Sequence, residues 1–243
     1  LRPRAWLCVG PGFSREEMIP DKIDSAKVDS LMQFIDFSVC SLKIIRPLGV
    51  RIRPGMKLDF NGIAQGYTVD LFCEMLEKKN IHNYMVEIGG EVRAKGKNKQ
   101  GKTWSIGIDK PIDHNEEHKL QAIIPLENRA LATSGNYRRF YVKDGVKYSH
   151  TINPHSGFPV QHNLLSASVF ADDCATADGY ATVFMVYGVE KTKAFLAENP
   201  DLKLDVYLIY SDEKGNFKTW ASEGIRKLVD ENIGTKTKHI GHG

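Results

Sequence analysis

The sequence predicts an α+β fold, with mixed or antiparallel sheets and inserted and flanking helices, in a single domain. Three observations carry that expectation. Strand-like runs follow one another in pairs instead of alternating with helices, which argues against a βαβ sheet. Short polar turns such as Asp144-Gly145 join neighbouring runs, a two-residue hairpin signal. Helical periodicity is confined to a few stretches, each bounded by Gly, Pro or a capping residue. With 243 residues the chain has ample length to bury a core. Its net charge of +3 and scattered basic residues argue against nucleic acid as a partner. No apolar run approaches the roughly 18–20 residues needed to span a bilayer. The opening "LRPRAWLCVG" shows no leader peptide. Cys8, Cys40, Cys73 and Cys174 lack CxxC spacing, against both a zinc knuckle and a disulfide scaffold.

In chain order, "SREEMIPDKIDS" reads as a short helix and loop, and "VDSLMQFIDF" as a modest amphipathic segment. Short strands broken at Pro47 and Pro54 follow. From residue 63 to about 79, Ile63, Tyr67, Leu71 and Met75 recur every four residues and predict a helix with one wide apolar face. Strands are expected at "NYMVEIGG", "TWSIGID", "LQAIIPL" and "RALATS", then at "YRRFYV" and "VKYSH" around Asp144-Gly145, and at the buried run "LLSASVFA". A helix over 175–187 is capped by Asp172 or Asp173 and stopped by Gly188. "VEKTKAFLAENP" gives another helix ending before Pro200, and "LDVYLIY" and "NFKTW" close the chain with a hairpin through "SDEKG".

Four stretches carry chemistry. In "LDFNGIAQGY" a strand turns through Asn61-Gly62 into a helix start, which offers unpaired N–H groups to an anion. A plain turn with Asn61 as N-cap explains the same residues. In "EIGGEVRAKG" paired glycines suit a bulged hairpin or a close approach to a ligand, with the Glu91 carboxylate beside that opening. In "CATADGYATVFMVYG" Asp178 sits inside an apolar helix with Thr182 one turn later. Those two hard oxygens suit Mg²⁺ better than Zn²⁺, while pairing with an Arg or Lys would equally satisfy the carboxylate. In "ATSGNYRRFY", Ser134-Gly135-Asn136 forms a polar turn close to His150 of "HTINPHSGFP". A hydrolytic triad of Ser134, His150 and Asp178 lacks the GxSxG elbow. A zinc pair of His150 and His155 lacks a third ligand nearby.

Taken as a set, "LDFNGIAQGYTVD", "VEIGGEVRAKG", "ATSGNYRRFY", "YSHTINPHSGFPV" and "SVFADDCATADGYATVFMVYG" resemble the FAD:protein FMN transferase family, the ApbE-like flavin transferases. The match runs from about residue 58 to 220, in the family's order. The resemblance implies an enzyme that binds FAD as substrate and Mg²⁺ as cofactor. It passes FMN to a threonine of an acceptor redox protein and releases AMP. By the same resemblance Gly62 (through its carbonyl), Asp178 and Thr182 hold the metal, and Asp59, Gln65, Ser134, His150 and Ile152 contact FAD. His150 and Asp178 are the catalytic pair, His150 as a phosphate contact or proton carrier.

Position 65 is more often Lys in the family, so Gln65 lacks a cation there. Fewer residues precede "LDFNG" than the family pattern has. Residues 1–57 are therefore expected to be an incomplete N-terminal part of the domain, and 58–243 the flavin- and Mg-binding core. A periplasmic or inner-membrane-associated location, as a lipoprotein, and a homodimer are further expectations from the resemblance. An FAD pyrophosphatase yielding FMN and AMP, and a non-catalytic FAD-binding protein, are the alternatives.

Overall fold

The computed structural model describes residues 8–9, 25–35, 41–43, 49–51, 54–112, 119–135, 140–143, 146–149 and 151–231. In chain order the elements begin with β1 (Cys8–Val9), α1 (Ser25–Met32), β2 (Ser41–Lys43), β3 (Gly49–Arg51), β4 (Lys57–Leu58) and α2 (Ala64–Lys78). Next come β5 (Tyr84–Ile88), β6 (Glu91–Lys95), β7 (Trp104–Asp109), β8 (Leu120–Leu126), β9 (Ala130–Gly135), β10 (Phe140–Lys143) and β11 (Val146–Ser149). The last are β12 (Leu164–Ala171), α3 (Cys174–Glu198), β13 (Asp205–Ser211), β14 (Phe217–Ala221) and α4 (Glu223–Arg226). Every strand pair among the described residues is antiparallel, in keeping with the predicted α+β class.

The chain divides into two compact units, residues 1–62 with 139–162, and residues 63–138 with 163–243. The first unit is built of two-stranded pieces. β1 pairs with β4, β2 with β3, and β10 with β11, where Lys143 faces Val146 across the expected hairpin. The loop within "HTINPHSGFP" is a stiff turn organised by Asn153. The Asn153 carbonyl accepts the Gly157 N–H (2.8 Å), and its side-chain oxygen accepts the His155 N–H (2.9 Å). Ile152 and Pro159 bridge its two arms. Gly157 has φ +74°, and a Cβ there would lie 2.4 Å from Cγ1 of the buried Val28 on α1. Both the backbone angle and the close approach require glycine.

The second unit is a six-stranded sheet in the order β14-β13-β12-β9-β6-β5, together with the β7-β8 hairpin. Alternation along each strand sends side chains to two faces. On one face Val92, Ala94, Leu131, Phe170, Tyr207 and Ile209 pack with Ile108, Ile124 and Leu126 of the β7-β8 hairpin and Ile225 of α4. On the other face Tyr84 and Ala130 pack with Val69 and Cys73 of α2 and Cys174 of α3. The unit is thus layered hairpin, sheet, helices.

Two expectations about the helices change. The stripe Tyr67, Leu71 and Met75 is exposed, and α2 instead buries Gly66, Val69, Asp70 and Cys73. Small residues face α3 because the two helices approach too closely for large ones: a Cβ on Gly66 would lie 2.4 Å from the Cys174 carbonyl oxygen. Nor does Asn61 cap α2. The cap position is Ile63, without a side-chain bond, while Asp59 accepts the Asn61 N–H (2.7 Å) and extends the turn before the helix. For α3, Asp173 is the N-cap and accepts the Thr176 N–H at 2.8 Å. The predicted stop at Gly188 is a sharp kink with φ 73° and ψ −176°. It turns the following segment so that Phe195 lies 5.8 Å from Tyr180 and from Phe184, edge-on to the latter.

Candidate functional site

The residues singled out by sequence divide between the two units. Asp59, Gly62 and Ile152 belong to the first, and Gln65, Ser134, Asp178 and Thr182 to the second. His150 lies outside the described residues. Within the second unit the structure brings the expected residues of α2, α3 and β9 to one place. Asp178 is buried on α3, and its Oδ2 accepts the Gly66 N–H at 3.0 Å. Gly66 lies in the first turn of α2, where backbone N–H groups lack intrahelical partners and the helix dipole favours negative charge. Burial pushes the Asp178 carboxyl up, and the Gly66 N–H works against that rise. One turn along α3, Thr182 Oγ1 lies 3.4 Å from Ser134 Oγ. Ser134 is within β9, opposite Ala167 of β12, and not in the polar turn expected from sequence. The sheet ladder runs on through Gly135, which pairs with Ser166.

Behind this pair stands Asp70, which sequence reading passed over. It is buried on α2 and accepts the Cys174 N–H (3.0 Å) and the Ala175 N–H (2.9 Å) at the start of α3. It also accepts Arg93 Nη1 of β6 at 2.7 Å. One carboxylate therefore ties α2, α3 and β6 together and leaves Asp178 one helical turn above the tie. The signal was available: Asp70 is an acidic residue inside an apolar helix, the feature that drew attention to Asp178.

At the end of β5, Gly89 and Gly90 both have positive φ (67° and 109°), as a two-residue hairpin turn demands. This is a tight turn with Ile88 paired to Glu91, and of the two readings the sequence left open the bulged hairpin is not found. A Cβ on Gly89 would lie 1.7 Å from Gln65 Nε2, which donates to the Ile88 carbonyl at 3.1 Å, and 3.7 Å from Glu91 Oε2. Glu91 is buried, and its Oε2 has no hydrogen-bond partner among the described residues. Its carboxyl is pushed up to about 7 by burial first and by the charge of Asp178 second. The buried Cys174 thiol is likewise raised, by burial and by the nearby charges of Asp70, Glu91 and Asp178.

The ApbE family model matches residues 4–207. The chain belongs to the ApbE family. Among proteins in this family, the Haemophilus influenzae FAD:protein FMN transferase is 42% identical over 177 residues, covering 73% of this chain and 50% of that protein. The Salmonella typhimurium FAD:protein FMN transferase is 34% identical over 214 residues, covering 86% and 57% respectively. The chain thus spans about half the length of the curated relatives it matches. In solved structures, the flavin transferase ApbE from Vibrio cholerae superposes with a TM-score of 0.71 at 33% identity, over 85% of this chain and 63% of that one. The Pseudomonas stutzeri flavinyl transferase ApbE gives 0.72 at 30% identity, over 85% and 61%.

The resemblance to ApbE proteins implied Mg²⁺, and the donor chemistry on α3 and β9 fits it. Asp178, Thr182 and Ser134 present oxygen only, the preference of a hard cation. Among the described residues no group of three or more His, Cys, Asp or Glu is placed to hold a metal. Mg²⁺ commonly takes one or two carboxylates and completes its shell with water and phosphate oxygens. Among the described residues no helix is long and apolar enough to cross a membrane.

Proposed function

We propose that this ApbE-family chain transfers FMN from FAD to a threonine hydroxyl of an acceptor redox protein, with Mg²⁺ bound and AMP released. The observation that carries the proposal is the Asp178 carboxylate seated on the start of α2, with Thr182 and Ser134 hydroxyls one turn away. The names of the relatives supply the flavin chemistry, and the oxygen set supplies a reason for metal dependence.

In the proposed reaction the threonine oxygen bonds to the phosphorus of the FMN half, the bond from that phosphorus to the bridging oxygen breaks, and AMP leaves with the bridging oxygen. The threonine proton is lost as the new ester forms. Asp178 and Thr182 would hold the metal, which would supply charge neutralisation for the pyrophosphate and its leaving group. Asp70 and Arg93 fix the helix positions from which the ligands project, so that little reorganisation accompanies the reaction. His150 is proposed as the phosphate contact or carrier of the threonine proton, and Asp59, Gln65 and Ile152 as flavin contacts.

The test is incubation of the chain with FAD, Mg²⁺ and a threonine-bearing acceptor. A fluorescent flavin band on a denaturing gel and an equal yield of AMP are expected, both lost in chelator and in Asp178→Asn. Labelling that persists in Asp178→Asn would overturn the site assignment. AMP and free FMN with no labelled acceptor would assign hydrolysis in place of transfer.

A further inference from the structure

We infer that Glu91 is an additional oxygen ligand of the cation held at Asp178, an inference that rests on the metal-dependent reading above. Glu91 is 8% exposed, and its Oε2 is the buried side-chain atom without a hydrogen-bond partner among the described residues. A carboxylate oxygen in that position loses its hydration and gains nothing in return unless a donor or cation meets it. The hydrogen bonds made by the donors on β6 and at the start of α2 go to other groups. Arg93, which follows Glu91 on the same face of β6, binds Asp70 at 2.7 Å. Lys95, next on that face, pairs with Glu77 of α2 at 3.0 Å. The Gln65 amide donates to Ile88, and the Gly66 N–H donates to Asp178.

Gly89 has φ +67°, and the space a side chain would take there is filled by the Gln65 amide, with Glu91 Oε2 bordering the same point at 3.7 Å. Gln65, whose amide borders the same point beside Gly89 as Glu91 Oε2, immediately precedes Gly66, whose N–H holds Asp178 Oδ2 at 3.0 Å. Two carboxylates, Glu91 and Asp178, would bring a charge of −2, which matches a divalent cation. A cation between Glu91 and Asp178 would satisfy the orphaned oxygen and relieve the repulsion together. This assigns a metal-binding role to the residue following the glycine pair, in addition to the Asp178–Thr182 pair.

The experiment uses the full chain stripped of metal by chelation. Free Mn²⁺ is followed by electron paramagnetic resonance during titration, and the unfolding midpoint is measured in chelator and in Mg²⁺. Wild type, Glu91→Gln, Asp178→Asn and, as a control at an exposed carboxylate of β5, Glu87→Gln are compared. The expected result is a loss of Mn²⁺ affinity of roughly tenfold or more in Glu91→Gln. The Mg²⁺-induced rise in midpoint is expected to shrink with it, and Glu87→Gln to match wild type. Wild-type Mn²⁺ affinity in Glu91→Gln, with affinity lost in Asp178→Asn, overturns the role of Glu91 and leaves the Asp178 site standing. Unchanged affinity in Asp178→Asn overturns both. Should Glu91→Gln not fold, Glu91→Asp withdraws the carboxylate by one methylene, and wild-type affinity there overturns the inference.

Discussion

Replacing Gly66 with alanine sets two effects of opposite sign against each other. Alanine in a helix interior is favoured over glycine by about 1 kcal/mol. The added Cβ, however, would lie 2.4 Å from the Cys174 carbonyl oxygen, 2.7 Å from the Cys174 carbonyl carbon and 2.9 Å from Asp178 Cβ. Two of those atoms are backbone of the first residue of α3, and none is the mobile end of a side chain. Relief therefore requires α2 and α3 to separate, and overpacking of this kind costs typically about 1–3 kcal/mol and sometimes more. Separation also stretches the 3.0 Å bond from the Gly66 N–H to Asp178, whose loss adds a penalty of about 1 kcal/mol. The balance is a net destabilisation of about 2 kcal/mol, or a fall in unfolding midpoint of roughly 4–8 °C for a chain this size. Thermal melts followed by circular dichroism would measure it, and Mn²⁺ affinity should fall in parallel as Asp178 loses its seat. A midpoint equal to or above that of wild type would refute the close helix contact and the argument built on it.

Three further outcomes follow from the same packing. Asp70→Ala removes one member of a largely buried ion pair and two bonds to the start of α3, so a loss of roughly 3–5 kcal/mol is expected in urea denaturation. In chelator, the folded state keeps a proton on Glu91 that the unfolded chain releases between pH 4.5 and about 7. Stability should therefore fall as pH rises through that window, by on the order of 3 kcal/mol, and Glu91→Gln should flatten the profile. Gly188→Ala places a side chain at φ 73° and ψ −176°, a region nearly confined to glycine. A cost of about 1–3 kcal/mol is expected, read from the thermal midpoint.

Local signals were legible in the sequence where they are fixed by neighbouring residues. Hairpin pairing around Asp144-Gly145, the stop at Gly188 and a cap at Asp172 or Asp173 all depend on a few adjacent positions, and each is found. The orientation of α2 was not legible, because periodicity marks an apolar stripe without saying what covers it. Tyr67, Leu71 and Met75 satisfy the period but lie outward, and the glycine-bearing face packs inward because α3 comes so close. The cap at Asn61 failed for a similar reason: Asp59, two residues earlier, takes the Asn61 N–H and shifts the helix start. At the site, Asp178 and Thr182 could be read from one helix, whereas the convergence of Ser134 required the pairing of β9 with β12. Asp70 and Arg93 are 23 residues apart, and their ion pair becomes visible only once β6 lies against α2.

The pairing of β9 with β12 has a consequence for how the chain is assembled. These strands are antiparallel neighbours at the middle of the six-stranded sheet, yet 28 residues separate Gly135 from Leu164. In topological terms they form a hairpin whose tip has been expanded to carry β10, β11 and the Asn153 turn. Loop-closure entropy grows only logarithmically, so enlarging a four-residue tip to this length costs about 1.7 kcal/mol. The sheet can therefore tolerate wide variation in what hangs from that point, and exchanging the tip is a cheap way to change what the domain meets while leaving its core untouched.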